Sequence, residues 1–160
     1  MVYTVGVADL KISADSMDVL ITYALGSCLG ITVYDKKLKR AGLLHCMMPE
    51  SSIDKDKAAE NPFLYVDSGM KFMLNDFYRS GSRKHDLIIR VAGGASSRLN
   101  ENQDFFQIGR RNFTSLRKYL WEEGLLLKSY DVGGYSSRTI TIEVEKGKMV
   151  VKSHGYLREL

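Results

Sequence analysis

Residues 29–48 read LGITVYDKKLKRAGLLHCMM, and they contain the clearest structural pattern in the chain. Two runs rich in β-forming and apolar residues, 29–34 and 41–48, flank the charged segment 35–40. Pro49 follows the second run and cannot donate a hydrogen bond to a strand ladder, so it ends the pattern. The stretch therefore predicts a β-hairpin.

The register of this hairpin decides which side chains share a face of the sheet. If Asp35 pairs with Arg40, a four-residue loop joins the strands and His45 lies opposite Gly30. Because side chains alternate along a strand, Cys28 is then the diagonal neighbour of His45, at roughly 7 Å or less between Cβ atoms. An odd-residue loop without a bulge would put the two side chains on opposite faces. We expect the first arrangement.

The rest of the chain adds further strands and two main helices. Residues 19–25 form a β-rich run, and residues 87–91 form another that leads into a Gly-Gly pair. Helical spacing of apolar residues predicts one helix from Asn61-Pro62 to Gly81 and a second that ends at Gly124. The polar stretch 51–60 is expected to be a mobile loop. Strands outnumber helices and do not alternate with them, so we predict an α+β fold with mainly antiparallel or mixed sheets.

Length and composition predict one domain over residues 1–160, with a flexible tail from about residue 153. A chain of 160 residues that is 44% hydrophobic can bury roughly 70% of its unfolded surface without a disulfide or a metal. No apolar run approaches the roughly 20 residues that span a bilayer, and the N-terminus does not resemble a signal peptide. We expect a cytoplasmic protein without membrane insertion.

The charge pattern argues against nucleic-acid binding. The net charge is +4, and the basic residues occur in small scattered groups rather than in a dense stripe. Such a surface favours acidic partners.

Cys28 and His45 are the candidate nucleophile and base. Cys28 follows Gly26-Ser27 at a strand end, where small residues allow backbone N–H groups to face a substrate as an oxyanion site. His45 lies in an apolar stretch and is therefore either a buried, hydrogen-bonded side chain or a functional one. A lone cysteine is more often inert packing than a nucleophile, so the expected proximity of the two side chains carries this hypothesis.

Thr22 is the candidate third member, which would fix the tautomer of the imidazole. We expect it to share a strand face with Leu20 and Ala24, where its hydroxyl would be the exception. Simple β-propensity explains a threonine there equally well.

The remaining candidates concern metals and glycines. Alternation places Cys46 on the face opposite His45, which argues against a disulfide with Cys28, and the ligand spacings typical of zinc sites are missing, so no metal and no cofactor are expected. Gly93 and Gly94, and likewise the pair 133–134, either shape a cleft or merely permit turns.

Five segments of the sequence, together with Arg138, resemble the CheD family of chemoreceptor glutamine deamidases of bacterial chemotaxis. They are TYALGSC at 22–28, GLLHCMMP at 42–49, GGAS at 93–96, IGRRN at 108–112, DVGG at 131–134, and Arg138. Their joint order and spacing carry the resemblance. Departures are mild, and the loop 97–106 is longer and more polar than the family pattern suggests.

The resemblance implies a triad of Cys28, His45 and Thr22 that hydrolyses the side-chain amide of receptor glutamines. It also implies a three-layer α/β/β fold similar to the catalytic domain of cytotoxic necrotising factor toxins. The implied partners are the cytoplasmic region of methyl-accepting receptors and a CheC-type phosphatase. Hydrolysis of glutamyl methyl esters and transglutamination use the same thiol chemistry and stay open, as do a mainly non-catalytic role as the phosphatase's activator and a redox role for Cys28.

Overall fold

A computed structural model describes residues 1–97 and 107–160, which form ten strands and three α-helices. The strands are β1 (Val2–Thr4), β2 (Asp9–Ser13), β3 (Val19–Leu25), β4 (Leu29–Asp35), β5 (Arg40–Cys46), β6 (Leu87–Gly93), β7 (Leu127–Val132), β8 (Arg138–Glu143), β9 (Met149–Ser153) and β10 (Tyr156–Glu159). The helices are α1 (Lys55–Glu60), α2 (Val66–Arg79) and α3 (Ile108–Glu123). Of the loop 97–106, only Ser97 lies within the described residues.

The strands form two five-stranded sheets, and both are mixed. Sheet one has the order β1-β3-β8-β9-β10, and sheet two has the order β2-β5-β4-β6-β7. The pairs β1/β3 and β6/β7 are parallel, and the other pairs are antiparallel. The predicted α+β class is confirmed.

Two apolar clusters, one on each face of sheet two, arrange the molecule in three layers. Side chains such as Leu29, Ile31 and Leu44 pack against α2 and α3 on one face. On the other face, residues such as Leu43 and Ala92 pack against sheet one. The order of layers is therefore helices, sheet two, sheet one, as the alternation of side chains in the hairpin requires.

The hairpin β4–β5 has the expected register. Asp35 pairs with Arg40, and Gly30 pairs with His45. The fully buried Asp35 carboxylate closes the turn, because its Oδ1 accepts the backbone N–H groups of Lys37 and Leu38 at 2.8 and 2.9 Å. Short polar side chains commonly stabilise turns in this way.

The segment between the hairpin and α2 differs from the expectation. Residues 51–60 are not one loop: they contain the 3₁₀ turn Ser51–Ile53 and then α1, whose N-cap Asp54 accepts from Lys57 N–H at 3.1 Å. With six residues, α1 is too short to show a helical period in the sequence.

The first predicted helix starts later than expected. Asn61 caps only the 3₁₀ turn Pro62–Leu64, and α2 begins at Val66. The chain is extended at Tyr65 because this residue forms a parallel bridge with Met48, which interrupts the helix. The second helix, α3, ends at Gly124 as predicted.

The C-terminal segment, expected to be a flexible tail, forms strand β10. It pairs antiparallel with β9, from Tyr156 opposite Ser153 to Glu159 opposite Val150. All four side chains of this edge strand are exposed, so the sequence shows no alternation of apolar and polar residues that would predict a strand.

Candidate active site

Cys28 and His45 lie on the inter-sheet face of sheet two. Cys28 immediately precedes β4, is half-buried and packs against the inter-sheet cluster. His45 in β5 is 2% exposed and pairs with Gly30, two residues beyond Cys28. Cys46 is fully buried in the opposite cluster, against the helices, and both cysteines are free. The sulfur of Cys28 and the imidazole thus share one surface, and the second thiol does not.

Thr22 reaches His45 from the other sheet. Its Oγ1 lies 2.8 Å from His45 Nδ1, and both side chains are buried. The same hydroxyl donates its single hydrogen to the carbonyl oxygen of Val5 at 2.7 Å. Because that hydrogen is used, Thr22 can only accept from the ring, so Nδ1 carries the proton.

This tautomer leaves Nε2 of His45 as the unprotonated nitrogen. It is buried and makes no hydrogen bond to any residue that the structure describes. A lone pair in that position can accept a proton, which is the property of a general base. The carbonyl of Val5 is a part of this arrangement that the sequence did not reveal.

A bulge in β3 removes Ala24 from the face that Leu20 and Thr22 share, where the sequence had placed all three. Leu20 and Thr22 are buried, but the pairing with β8 shifts after Thr22, and Ala24 has a positive φ of 55° and is exposed. Leu25 is the residue that enters the inter-sheet cluster. The extra residue in the bulge moves every later side chain of β3 to the other face.

The backbone before Cys28 is held by the loop that follows β6. Ala95 N–H donates to the carbonyl of Gly26 at 2.8 Å, and Gly94 N–H donates to the carbonyl of Cys28 at 2.9 Å. A Cβ at Gly93, where φ is 118°, would collide with that same Cys28 carbonyl, so only glycine allows this approach. Since the N–H of Gly94 is already bonded, it does not serve an oxyanion.

Two buried polar residues that the sequence analysis did not select surround this backbone. Asn112 of α3 is fully buried and donates to the carbonyls of Ser27 and Met47 at 3.0 and 2.9 Å. Arg138 at the start of β8 donates to the carbonyl of Gly93 at 3.1 Å. Both residues occur in the part of the sequence that resembles the family. Apart from that resemblance, the sequence offered one indication, for Asn112: it is a polar side chain on the apolar face of α3.

Burial opposes charge on both candidate groups. It raises the pKa of the Cys28 thiol above its ordinary value, partly offset by the backbone N–H of Cys28 itself. It lowers the pKa of His45 below 6.5. Both directions favour the neutral thiol and the neutral imidazole at pH 7.

An open cleft of about 360 Å³ adjoins the site. It is lined by Gly26, Ser27, Ala95, Ser96, Ser97, Ile108, Tyr135 and Ser137. Gly26 and Ser27 thus line a cleft next to Cys28, whereas Gly93 and Gly94 hold its backbone. Over residues 1–97 and 107–160, no group of three or more histidine, cysteine or acidic side chains could hold a metal ion. In the same ranges no helix combines the length and the apolar character needed to cross a membrane.

Fold and site define an α+β domain of two stacked mixed sheets, with a thiol and an imidazole on the face between them. The profile of a family described as CheD chemotactic sensory transduction matches residues 47–153. The chain belongs to the CheD family.

Relatives at near full length agree with this assignment. A protein of Syntrophus aciditrophicus is 41% identical over 98% of this chain and 97% of its own length. One of Solibacter usitatus is 41% identical over 98% of this chain and 91% of its own. One of Clostridium tetani is 36% identical over 96% of this chain and 92% of its own. Each is named a probable chemoreceptor glutamine deamidase CheD, the first with the number 1.

Proposed function

We propose that this protein is a cysteine hydrolase that deamidates glutamine side chains of chemotaxis receptors to glutamate and releases ammonia. It acts in the cytoplasm on the receptors' cytoplasmic region, with Cys28 as nucleophile, His45 as base and Thr22 as the residue that orients the base. The observation that carries the proposal is the bond of Thr22 to Nδ1 of His45, which leaves Nε2 unprotonated on the inter-sheet face, with no hydrogen-bond partner among the described residues.

In the first half of the reaction, Cys28 Sγ attacks the carboxamide carbon of the substrate. The thiol proton moves to Nε2 of His45 as the S–C bond forms, because the neutral pair is favoured before attack. The reaction therefore does not start from a resting thiolate beside an imidazolium. The tetrahedral intermediate then collapses: the imidazolium protonates the amide nitrogen, the C–N bond breaks, and the nitrogen leaves as ammonia.

In the second half, water resolves the thioester. Nε2 of His45 takes a proton from water as its oxygen attacks the acyl carbon, the C–S bond breaks, and the thiol regains its proton. The product is glutamate. Positioned acid–base help of this kind is typically worth about 10² to 10⁴ in rate. The backbone N–H of Cys28 is our candidate for stabilising the oxyanion.

The test is deamidation of a receptor cytoplasmic fragment, followed by ammonia release and by the amide-to-acid mass change. We expect the wild-type chain to be active and Cys28→Ala to be inactive. Cys46→Ala is the matched control, because it removes the other buried thiol from the opposite face of the sheet. Full activity of Cys28→Ala, or an inactive wild type, would overturn the proposal.

Competing activities are separated in the same assay. A fragment carrying glutamyl methyl esters reports esterase activity by methanol release, and an added primary amine reports transglutamination by its incorporation. The family resemblance also implies a complex with a CheC-type phosphatase. If that complex is the main role, Cys28→Ala should bind and affect the phosphatase as the wild type does while receptor glutamines stay unmodified by either protein.

A further inference from the structure

Three successive backbone carbonyls around the nucleophile are each held by a different donor. Those of Gly26 and Cys28 accept from the loop after β6, and that of Ser27 points the other way, to Asn112 Nδ2 of α3. Asn112 Nδ2 also donates to the carbonyl of Met47, two residues after His45. One buried amide thus joins the segment that carries the thiol to the segment that follows the base.

The bond to Ser27 has a direct consequence for Cys28. A trans peptide is planar, so its C=O and N–H point in opposite directions. The carbonyl of Ser27 and the N–H of Cys28 belong to the same peptide plane. When Asn112 holds that carbonyl, it also fixes where the N–H of Cys28 points.

We propose that Asn112 is a positioning residue, whose amide sets the Ser27–Cys28 peptide plane and couples it to the segment that directly follows the strand of His45. The expected effect on kcat rests on the proposed function, because it requires that Cys28 is the nucleophile of the reaction. Asn112 does not touch the reacting atoms. It acts through the N–H of Cys28, which shares a peptide plane with the Ser27 carbonyl that Asn112 holds and is our candidate oxyanion donor.

Helix α3 gives this amide a rigid support. The helix approaches the loop after β6 so closely that a Cβ at Gly109 would lie 2.5 Å from the carbonyl oxygen of Gly94. One turn after Asn112, Ser115 donates to the carbonyl of Pro49 at 2.7 Å. The amide is also oriented unambiguously, because both of its partners are carbonyls and accept only from Nδ2. Its Oδ1 is buried without a partner among the described residues.

The experiment compares Asn112→Leu with Ser115→Ala. Leucine is of similar size but removes both donors, whereas Ser115→Ala removes a buried bond between the same helix and a backbone carbonyl away from Cys28. For Asn112→Leu we expect kcat to fall by about 10- to 10³-fold, the upper value being typical of a lost oxyanion donor. KM should stay within about twofold, since substrate contacts are unchanged. Ser115→Ala should keep both constants close to wild type.

Alkylation of Cys28 by iodoacetamide, without any receptor, gives a second readout. The backbone N–H of Cys28 lowers the pKa of its thiol, so losing its orientation should move the midpoint of the alkylation rate to higher pH. Loss of stability alone, in a chain that stays folded at the assay temperature, would not move this midpoint. If Asn112→Leu does not fold, Asn112→Ser keeps one donor and should give intermediate shifts.

The outcomes separate this inference from the proposed function. Equal kcat and equal alkylation midpoints in the Asn112 and Ser115 variants would overturn the positioning role. A wild type that releases no ammonia would overturn the deamidase proposal. A higher alkylation midpoint in Asn112→Leu would in that case still support the positioning of Cys28.

Discussion

The two ring nitrogens of His45 have different surroundings, and that asymmetry defines the chemistry at the residue scale. Nδ1 is tied to Thr22, whose own hydrogen is committed to Val5, and Nε2 is without a partner among the described residues. A hydroxyl is a weaker anchor than a carboxylate because it carries no charge to stabilise the imidazolium. Loss of Thr22 should therefore reduce the rate less than loss of Cys28.

Substitution at Thr22 tests the anchor. Thr22→Val keeps the shape but removes the acceptor, and we expect kcat to fall by at least about tenfold, less than the 10² to 10⁴ typical of losing the base itself. Thr22→Ser keeps the hydroxyl and should retain most of the activity. Steady-state kinetics on the receptor fragment measure both. Equal activity of the valine and serine variants would contradict an orienting role.

The pH dependence tests the neutral resting pair. Burial lowers the pKa of His45 below 6.5, so more than half of the imidazole is neutral at pH 6.5 and the base is protonated only under more acidic conditions. The acid limb of kcat/KM should accordingly have its midpoint below 6.5. Alkylation of Cys28 should have its midpoint above 9.0, since burial raises the pKa of the thiol. An acid limb above 6.5 would contradict this assignment.

At the scale of the element, the hairpin β4–β5 sets the position of the thiol relative to the imidazole. A one-residue slip would move His45 to the helix-facing side, so the turn must fix the register. Asp35 does this through two backbone N–H groups and the hydroxyl of Ser82, which donates to its Oδ2. Burial raises the pKa of Asp35, but these hydrogen bonds outweigh it and hold the pKa below 3.8.

Replacement of Asp35 tests the turn. Asp35→Ala should lower the free energy of unfolding at pH 7 by about 1–3 kcal/mol, the usual effect of leaving buried polar partners unsatisfied. Because the folded pKa is depressed, the wild-type carboxylate contributes stability above about pH 3.8 and loses it as the pH falls through the folded pKa. Urea unfolding should thus show a gap between variant and wild type that closes in acid.

The exposed Asp15 is the control for this experiment. Its Oδ1 also accepts a backbone N–H in a turn, that of Met17 at 2.9 Å, but in solvent. Asp15→Ala should therefore change the free energy of unfolding by less than Asp35→Ala. Equal losses of stability in the two variants would show that the buried turn at Asp35 contributes no more than an exposed one.

The sequence predicted those elements whose period is local. Alternation and a charged turn were enough to give the register from Gly30 to Asp35, and apolar spacing was enough to locate the two long helices. It did not predict α1, which is short, or the late start of α2, which depends on a bridge from Tyr65 to the distant Met48. The sequence did not predict the bulge after Thr22 either, because the bulge depends on how β3 pairs with β8.

The same distinction holds for the site. Cys28 and His45 could be related from the sequence because they flank one hairpin. Val5 and Asn112 could not, since their partners lie 17 to 85 residues away along the chain and become neighbours only after the sheets and α3 pack. In the sequence, such contacts are indicated only by a polar residue at a position where the pattern requires an apolar one.

At the scale of the whole molecule, the site is assembled across two sheets. Thr22 belongs to sheet one, whereas His45 and the segment that begins with Cys28 belong to sheet two. The distance from Thr22 to His45 therefore depends on how the sheets are held together. Near Cys28, Arg138 of sheet one makes this connection, because its guanidinium bonds the carbonyls of Gly93 and Gly133 and the carboxylate of Asp131 in sheet two.

Two arginines that contact the same carboxylate test this connection. Arg138 is 6% exposed with its Nε 3.1 Å from Asp131 Oδ1, whereas the half-exposed Arg158 lies 3.7 Å from Oδ2. Arg138→Met leaves Asp131 buried without its main partner and should cost about 3–5 kcal/mol of unfolding free energy. Arg158→Met should cost at most about 1 kcal/mol of unfolding free energy.

The same pair of variants also tests the effect on activity. At a temperature where both variants are folded, Arg138→Met should have a lower kcat for deamidation than Arg158→Met, because the sheets that carry Thr22 and His45 are no longer held together near the site. Equal stability and equal kcat in the two variants would show that this contact between the sheets does not position the site.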